Sequence, residues 1–144
     1  MRATARATFA AIAVAIVFTS ASAMAAGSSA GYGGGGRFAR FDPIVDQYNK
    51  SGEVFRITGN CQSSCTLFLA IRNVCIEPSA QLRFHAGRGG GGSASSLSRA
   101  HMLSAYNEKL RAYLGEHHAM ETEQFFTISG RDMISKFGYR QCGR

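Results

Sequence analysis

Three of the four cysteines in this chain fall between positions 61 and 75, in a stretch that reads GNCQSSCTLFLAIRNVCIE, and the fourth, Cys142, stands near the end. Any fold must either bring these thiols into bridging range or keep them reduced. Four cysteines admit three pairings, and their spacing alone does not choose among them. Zinc is a poor fit. The first gap is CxxxC and no second close pair exists to complete four ligands, so no metal site is expected.

The start of the sequence indicates the compartment. MRATARATFAAIAVAIVFTSASAMAAG carries Arg2 and Arg6, an apolar run from Phe9 to Phe18, and then small residues. Ala23-Met24-Ala25 has the small-x-small form that signal peptidase accepts. This predicts a signal peptide over residues 1–26, cleaved after Ala25 or Ala26. Its apolar core is too short for a permanent anchor, and no later segment approaches a membrane helix in length. The expectation is an exported protein, periplasmic or secreted, with no integral membrane segment after cleavage and with its cysteines in disulfides. About 118 residues remain, enough for one small domain.

Losing Arg2 and Arg6 lowers the formal net charge from +7 to +5. The remaining basic residues are scattered, with no stripe of interleaved aromatics, which argues against a nucleic-acid partner. No pattern calls for a cofactor.

Residues 27–36, GSSAGYGGGG, have the composition of a disordered lead-in, although four consecutive glycines also let backbone amides approach a ligand closely. The domain proper is expected over 37–144. Asp42 before Pro43 reads as an N-cap with proline at the first helical position; Ile44, Val45 and Tyr48 follow at helical spacing, and Ser51-Gly52 ends the helix. VFRITG reads as a strand, TLFLAI as a buried helix begun near Ser63, and VCIE as a strand stopped by Pro78. AQLRFHA alternates as a strand should, with His85 at its end. Met102, Tyr106, Leu110, Tyr113 and Leu114 mark the core face of one helix from Leu97 to about Leu114. His101, His117 and His118, on or beside it, read as solvated. A short strand or turn, a short helix and a tail held by Cys142 complete the chain. Strands alternating with helices predict an α/β layered fold with a mainly parallel sheet.

In such sheets, sites form at the carboxyl ends of strands. Ser63 stands at such a junction, where helix N-terminal amides favour developing negative charge. A plain N-cap serine would occupy the same place, and Ser64 competes as a nucleophile. His85 follows 22 residues later. Alone it is an ordinary structural or solvated histidine; with a serine and oxyanion donors it becomes a general base.

Serine, histidine and glycine run together give the segment GGGGRFARFDPIVDQYNKSGEVFRITGNCQSSCTLFLAIRNVCIEPSAQLRFHAG a resemblance to the Clp protease proteolytic subunit family, within the crotonase-like superfamily, and to small exported bacterial relatives carrying CxSxC and a later FHA. Gly59 stands four residues before Ser63, and Pro78 seven before His85, as in that family. The resemblance implies a small Clp-protease-like layered fold, truncated at the N-terminus, with a small, partly open sheet. It further implies Ser63 as nucleophile, His85 as base, and Gly34 and Gly35 as oxyanion donors. The acid would come from the C-terminal region, with Asp132 first and Glu121 and Glu123 as alternatives. Two departures from the pattern are Cys65, where the protease has glycine, and a shorter interval from serine to proline. Around that serine turn, bridges Cys65–Cys75 and Cys61–Cys142 are favoured, since they would fix the turn and clamp the tail onto it. Two functions follow: a serine hydrolase of peptide or acyl bonds using a dyad or triad, or a non-catalytic binding module on the same fold. A homo-oligomer is implied only by the ring-forming habit of the protease.

Overall fold

A computed structural model describes residues 27–87 and 93–143. The expected signal peptide, and positions 88–92 of the glycine-serine loop after His85, lie outside the described residues. The fold is mixed α/β. In chain order come β1 (Gly27–Ser28), α1 (Asp42–Ser51), β2 (Phe55–Ile57), β3 (Asn60–Gln62), β4 (Val74–Ile76), β5 (Gln81–Phe84), α2 (Ser93–Ser104), α3 (Glu108–Glu116), β6 (Phe126–Ser129) and α4 (Gly130–Ser135). Two 3-10 helices, Phe38–Arg40 and Ser63–Ala70, complete it.

The strands form two small sheets rather than one. The first, in the order β1-β2-β4, is parallel throughout; the second, β3-β5-β6, is parallel at β3-β5 and antiparallel at β5-β6. The run VFRITG ends at Gly59, whose φ of 57° turns the chain out of the first sheet and into the second. Left-handed backbone of this kind is costly for a residue with a Cβ, so glycine is the natural occupant.

The 3-10 helix Ser63–Ala70 is the centre of the core. Ser64 through Leu69 are all buried, because residues apolar on every side suit an element covered all round. Phe68 meets Phe55, Phe41 and Tyr32 at ring-centroid distances of 4.5, 5.4 and 5.4 Å. Each fully buried side chain of this kind contributes about 1.5–3 kcal/mol.

Four expectations need correction. The lead-in is ordered: β1 pairs with β2, Ser29 is buried, and its hydroxyl exchanges hydrogen bonds with the Thr58 backbone. Glycine-rich backbone hydrogen-bonds like any other once an edge strand is offered. Asp42 opens α1 rather than capping it; the cap position is Phe41, and the Asp42 carboxylate pairs with His101 at 3.0 Å, so that histidine is engaged rather than merely solvated. The helix expected from Leu97 to Leu114 is two helices, because Asn107 caps α3 by accepting from the Leu110 N–H. Its stripe still faces inward, with Met102, Tyr106, Leu110 and Leu114 buried.

The fourth correction concerns the disulfides, which are Cys61–Cys65 and Cys75–Cys142. Cys61 in β3 and Cys65 in the following turn have Cα atoms 5.2 Å apart, so the bridge is local. Cys75 lies on the other sheet, in β4. There Ile76 forms a parallel bridge with Gln141, which brings Cys142 to a Cα distance of 4.8 Å. The separation of Cys65 and Cys75 onto different elements is what defeats the pairings favoured above.

Candidate functional site

Strand register builds the site. In the parallel pair β3-β5, Gln62 stands opposite Arg83. Ser63 leaves the carboxyl end of β3 and His85 follows β5, so adjacent parallel strands deliver both to the same edge of the sheet. Both line one cavity of about 670 Å³, together with Gly34, Gly36, Arg37, Phe38, Gln62, Ser64, Gly87, Ser98, Met102 and Phe125.

Ser63 has φ of 53°, one of two described non-glycine residues in the left-handed region. Such a conformation costs serine about 1–2 kcal/mol and persists only where neighbours enforce it. The Cys61–Cys65 bridge spans the turn, and the Thr66 hydroxyl donates to the Ser63 carbonyl at 2.7 Å. Thr66 also shares a hydrogen bond of 2.6 Å with the Tyr106 phenol, tying the turn to the α2–α3 junction. Burial keeps that phenol protonated well above the ordinary tyrosine range, with the Thr66 bond opposing only part of the effect. Ser63 is therefore not an N-cap: it is the first helical residue, Gln62 holds the cap position, and no side-chain cap bond forms.

The choice between the two serines follows from their surroundings. Ser64 is buried and donates its hydroxyl to the Gly36 carbonyl at 2.6 Å, a structural duty. Ser63 is half-buried and faces the cavity.

Alternate side chains of the same segment fasten the glycine run. Asn60 donates to the Gly33 carbonyl at 3.1 Å and Gln62 to the Gly34 carbonyl at 3.3 Å, while the Gln62 N–H also reaches Gly33 at 3.0 Å. A Cβ on Gly35 would come within 2.9 Å of the Ser63 Cβ, so the approach requires glycine. The two positions expected to donate to an oxyanion differ. Gly34 lines the cavity, whereas the Gly35 N–H donates to the Tyr32 carbonyl at 3.0 Å and is committed to a turn. Gly36, rather than Gly35, accompanies Gly34 in the cavity wall.

His85 is buried, its ring 4.6 Å from that of Phe125. The three candidate acids separate clearly. The Asp132 carboxylate pairs at 3.2 Å with Lys136, the residue after α4, and neither is among the described lining residues. Glu121 pairs with His118 at 3.0 Å on an exposed surface. Glu123 follows Thr122, whose carbonyl accepts the N–H of Ala86, the residue after His85, at 2.7 Å. Glu121 and Glu123 both flank Thr122, and since Glu121 is turned to His118, Glu123 is the one of the two not committed to that histidine. None of the three is among the described residues lining the cavity.

Phe38, Met102, Phe125, Gln62 and Arg37 were not singled out as site residues from the sequence. Met102 was read as core, which it also is. Asn60 and Gln62, two residues apart on β3, both reach the glycine carbonyls because a β-strand sends every second side chain to one face. Among the described residues no group of three or more histidine, cysteine or acidic side chains is arranged to hold a metal. No described helix is long and apolar enough to cross a membrane. Compared with known proteins, the chain matches no family model and no curated protein.

Proposed function

We propose that the chain is an extracytoplasmic serine hydrolase of peptide or acyl bonds, built on a Clp-protease-like, crotonase-superfamily fold. The observation that carries this reading is the meeting of Ser63, His85 and the glycine run around one cavity, with Ser63 in a left-handed turn between strand and helix. A turn of that kind pushes a nucleophile's hydroxyl out of the sheet edge. The two disulfides support an oxidising compartment, periplasmic or external.

In this mechanism the Ser63 Oγ attacks the acyl carbon while its proton passes to the His85 imidazole. The carbonyl oxygen becomes an oxyanion held by the amide N–H groups of Gly34 and Gly36 in the cavity wall. The C–N or C–O bond then breaks as His85 returns the proton to the leaving group. Water attacks the acyl-serine, gives its proton to His85, and the Ser63 oxygen leaves with that proton restored. Glu123 is the acid best placed in the chain to orient the imidazole. A single oxyanion donor is worth about a hundredfold to a thousandfold in rate.

The test is a fluorophosphonate probe applied to the purified protein. Wild type should take one label on Ser63, Ser63→Ala none, and His85→Ala should label about a hundredfold or more slowly. Equal labelling of wild type and Ser63→Ala would end the proposal. A second reading, a non-catalytic binding module using the same cleft, is favoured by the lack of any carboxylate among the described lining residues. Absence of labelling together with ligand binding in the cavity would select it.

A further inference from the structure

The cavity has a chemical polarity of its own. Apart from the His85 imidazole, Arg37 is the one ionisable side chain among its described lining residues, and Phe38, Met102 and Phe125 are the large apolar ones. Neighbouring arginines are already engaged. Arg40 donates to the Gly31 carbonyl at 3.0 Å and lies 4.8 Å from the Tyr32 ring centroid. Arg83 reaches the Gln62 side chain at 3.4 Å and lies 4.4 Å over Phe125. The Arg37 guanidinium makes no hydrogen bond or ion pair to any described residue, and no carboxylate is among the described residues lining the cavity.

From this we infer that Arg37 is the anchor for a substrate carboxylate, and that the site takes peptides or N-acyl amino acids with a free carboxyl terminus and an apolar last side chain. The inference rests on the hydrolase reading of the same cavity. Arg37 follows Gly36 directly, so the cation and the amide wall share one short segment. Consecutive Cα atoms are about 3.8 Å apart, so an anchor beside the amide wall suits a carboxylate roughly one residue from the carbonyl under attack. A guanidinium presents paired donors that match a carboxylate in two parallel hydrogen bonds. The apolar side chain then lies against Phe38, Met102 and Phe125. A volume of about 670 Å³ falls within the range of about 300–1,000 Å³ usual for small-ligand sites. The chemistry is release of the last residue: the amide C–N bond breaks, water supplies the oxygen of the new carboxylate, and the amine leaves with the proton carried by His85.

The experiment compares N-acetyl-alanyl-phenylalanine with its C-terminal amide. Binding is measured by calorimetry on Ser63→Ala, which needs no turnover, and hydrolysis on wild type. The free acid should bind about tenfold or more tightly than the amide. Arg37→Gln in the Ser63→Ala background should bring the acid to the level of the amide, and Arg37→Lys should restore part of the preference. Arg37 is exposed, so these variants are expected to fold, as circular dichroism would verify. Equal binding of the two ligands, no binding of either, or a preference that survives Arg37→Gln overturns the assignment. An Arg37-dependent preference without hydrolysis leaves the anion anchor standing and removes the hydrolase reading. Hydrolysis of acid and amide at equal rates does the reverse.

Discussion

The two sheets each carry one disulfide, and the bridges do different work. Cys75–Cys142 joins positions 67 apart and ties the tail to β4 of the first sheet. Cys61–Cys65 joins positions 4 apart and closes a loop around Ser63 at the end of the second. Chain entropy makes the first worth about 4 kcal/mol and the second about 2 kcal/mol. The short bridge has its main effect on shape, since it spans the residue whose φ is 53°. Stability and site geometry are thus assigned to separate crosslinks on separate sheets.

That division is open to direct attack. The largest effect is expected from Cys75→Ala with Cys142→Ala, which should cost about 4 kcal/mol and lower the melting temperature by roughly 20 °C in a domain of this size. Below that temperature Ser63 should still react with a fluorophosphonate. Loss of labelling in a protein that circular dichroism reports as folded would break the division. Cys61→Ala with Cys65→Ala should cost only about 2 kcal/mol, yet slow labelling of the folded protein about tenfold or more; an unchanged rate would show that the short bridge shapes nothing. The smallest effect is a gain. Ser63→Gly relieves the left-handed backbone and should raise the unfolding free energy by about 1 kcal/mol in denaturant titrations. The same substitution without the Cys61–Cys65 bridge should gain less, because the turn is then free to relax, and the double-mutant cycle would measure how far the bridge imposes the conformation.

Much of the scaffold was legible because it follows from local pattern. The alternation in AQLRFHA, the all-apolar run after Cys65, and the stripe from Met102 to Leu114 each correspond to buried faces in the fold. The shared cavity of Ser63 and His85 follows from their places after strands that pair in parallel. What escaped the sequence depends on contacts far along the chain. Cys142 finds Cys75 through a bridge between Ile76 and Gln141, and nothing near either cysteine announces it. The lead-in is ordered by β2, and composition cannot report the offer of a sheet edge. The long helix breaks at Asn107 because its cap outweighs a continuous apolar stripe. Asp132 looked suitable by position near the C-terminus, but helix geometry turns its carboxylate to Lys136, one turn on.

Ser63 and Ser64 are neighbours with the same functional group, and in an unfolded chain a serine-directed electrophile would have little reason to prefer either. Folding makes them unequal, since the second hydroxyl is buried and held by Gly36 while the first opens onto solvent-accessible space. The site therefore contains its own internal reference: an adduct at position 64 reports a molecule that has opened, whereas one at 63 reports a molecule that has kept its shape.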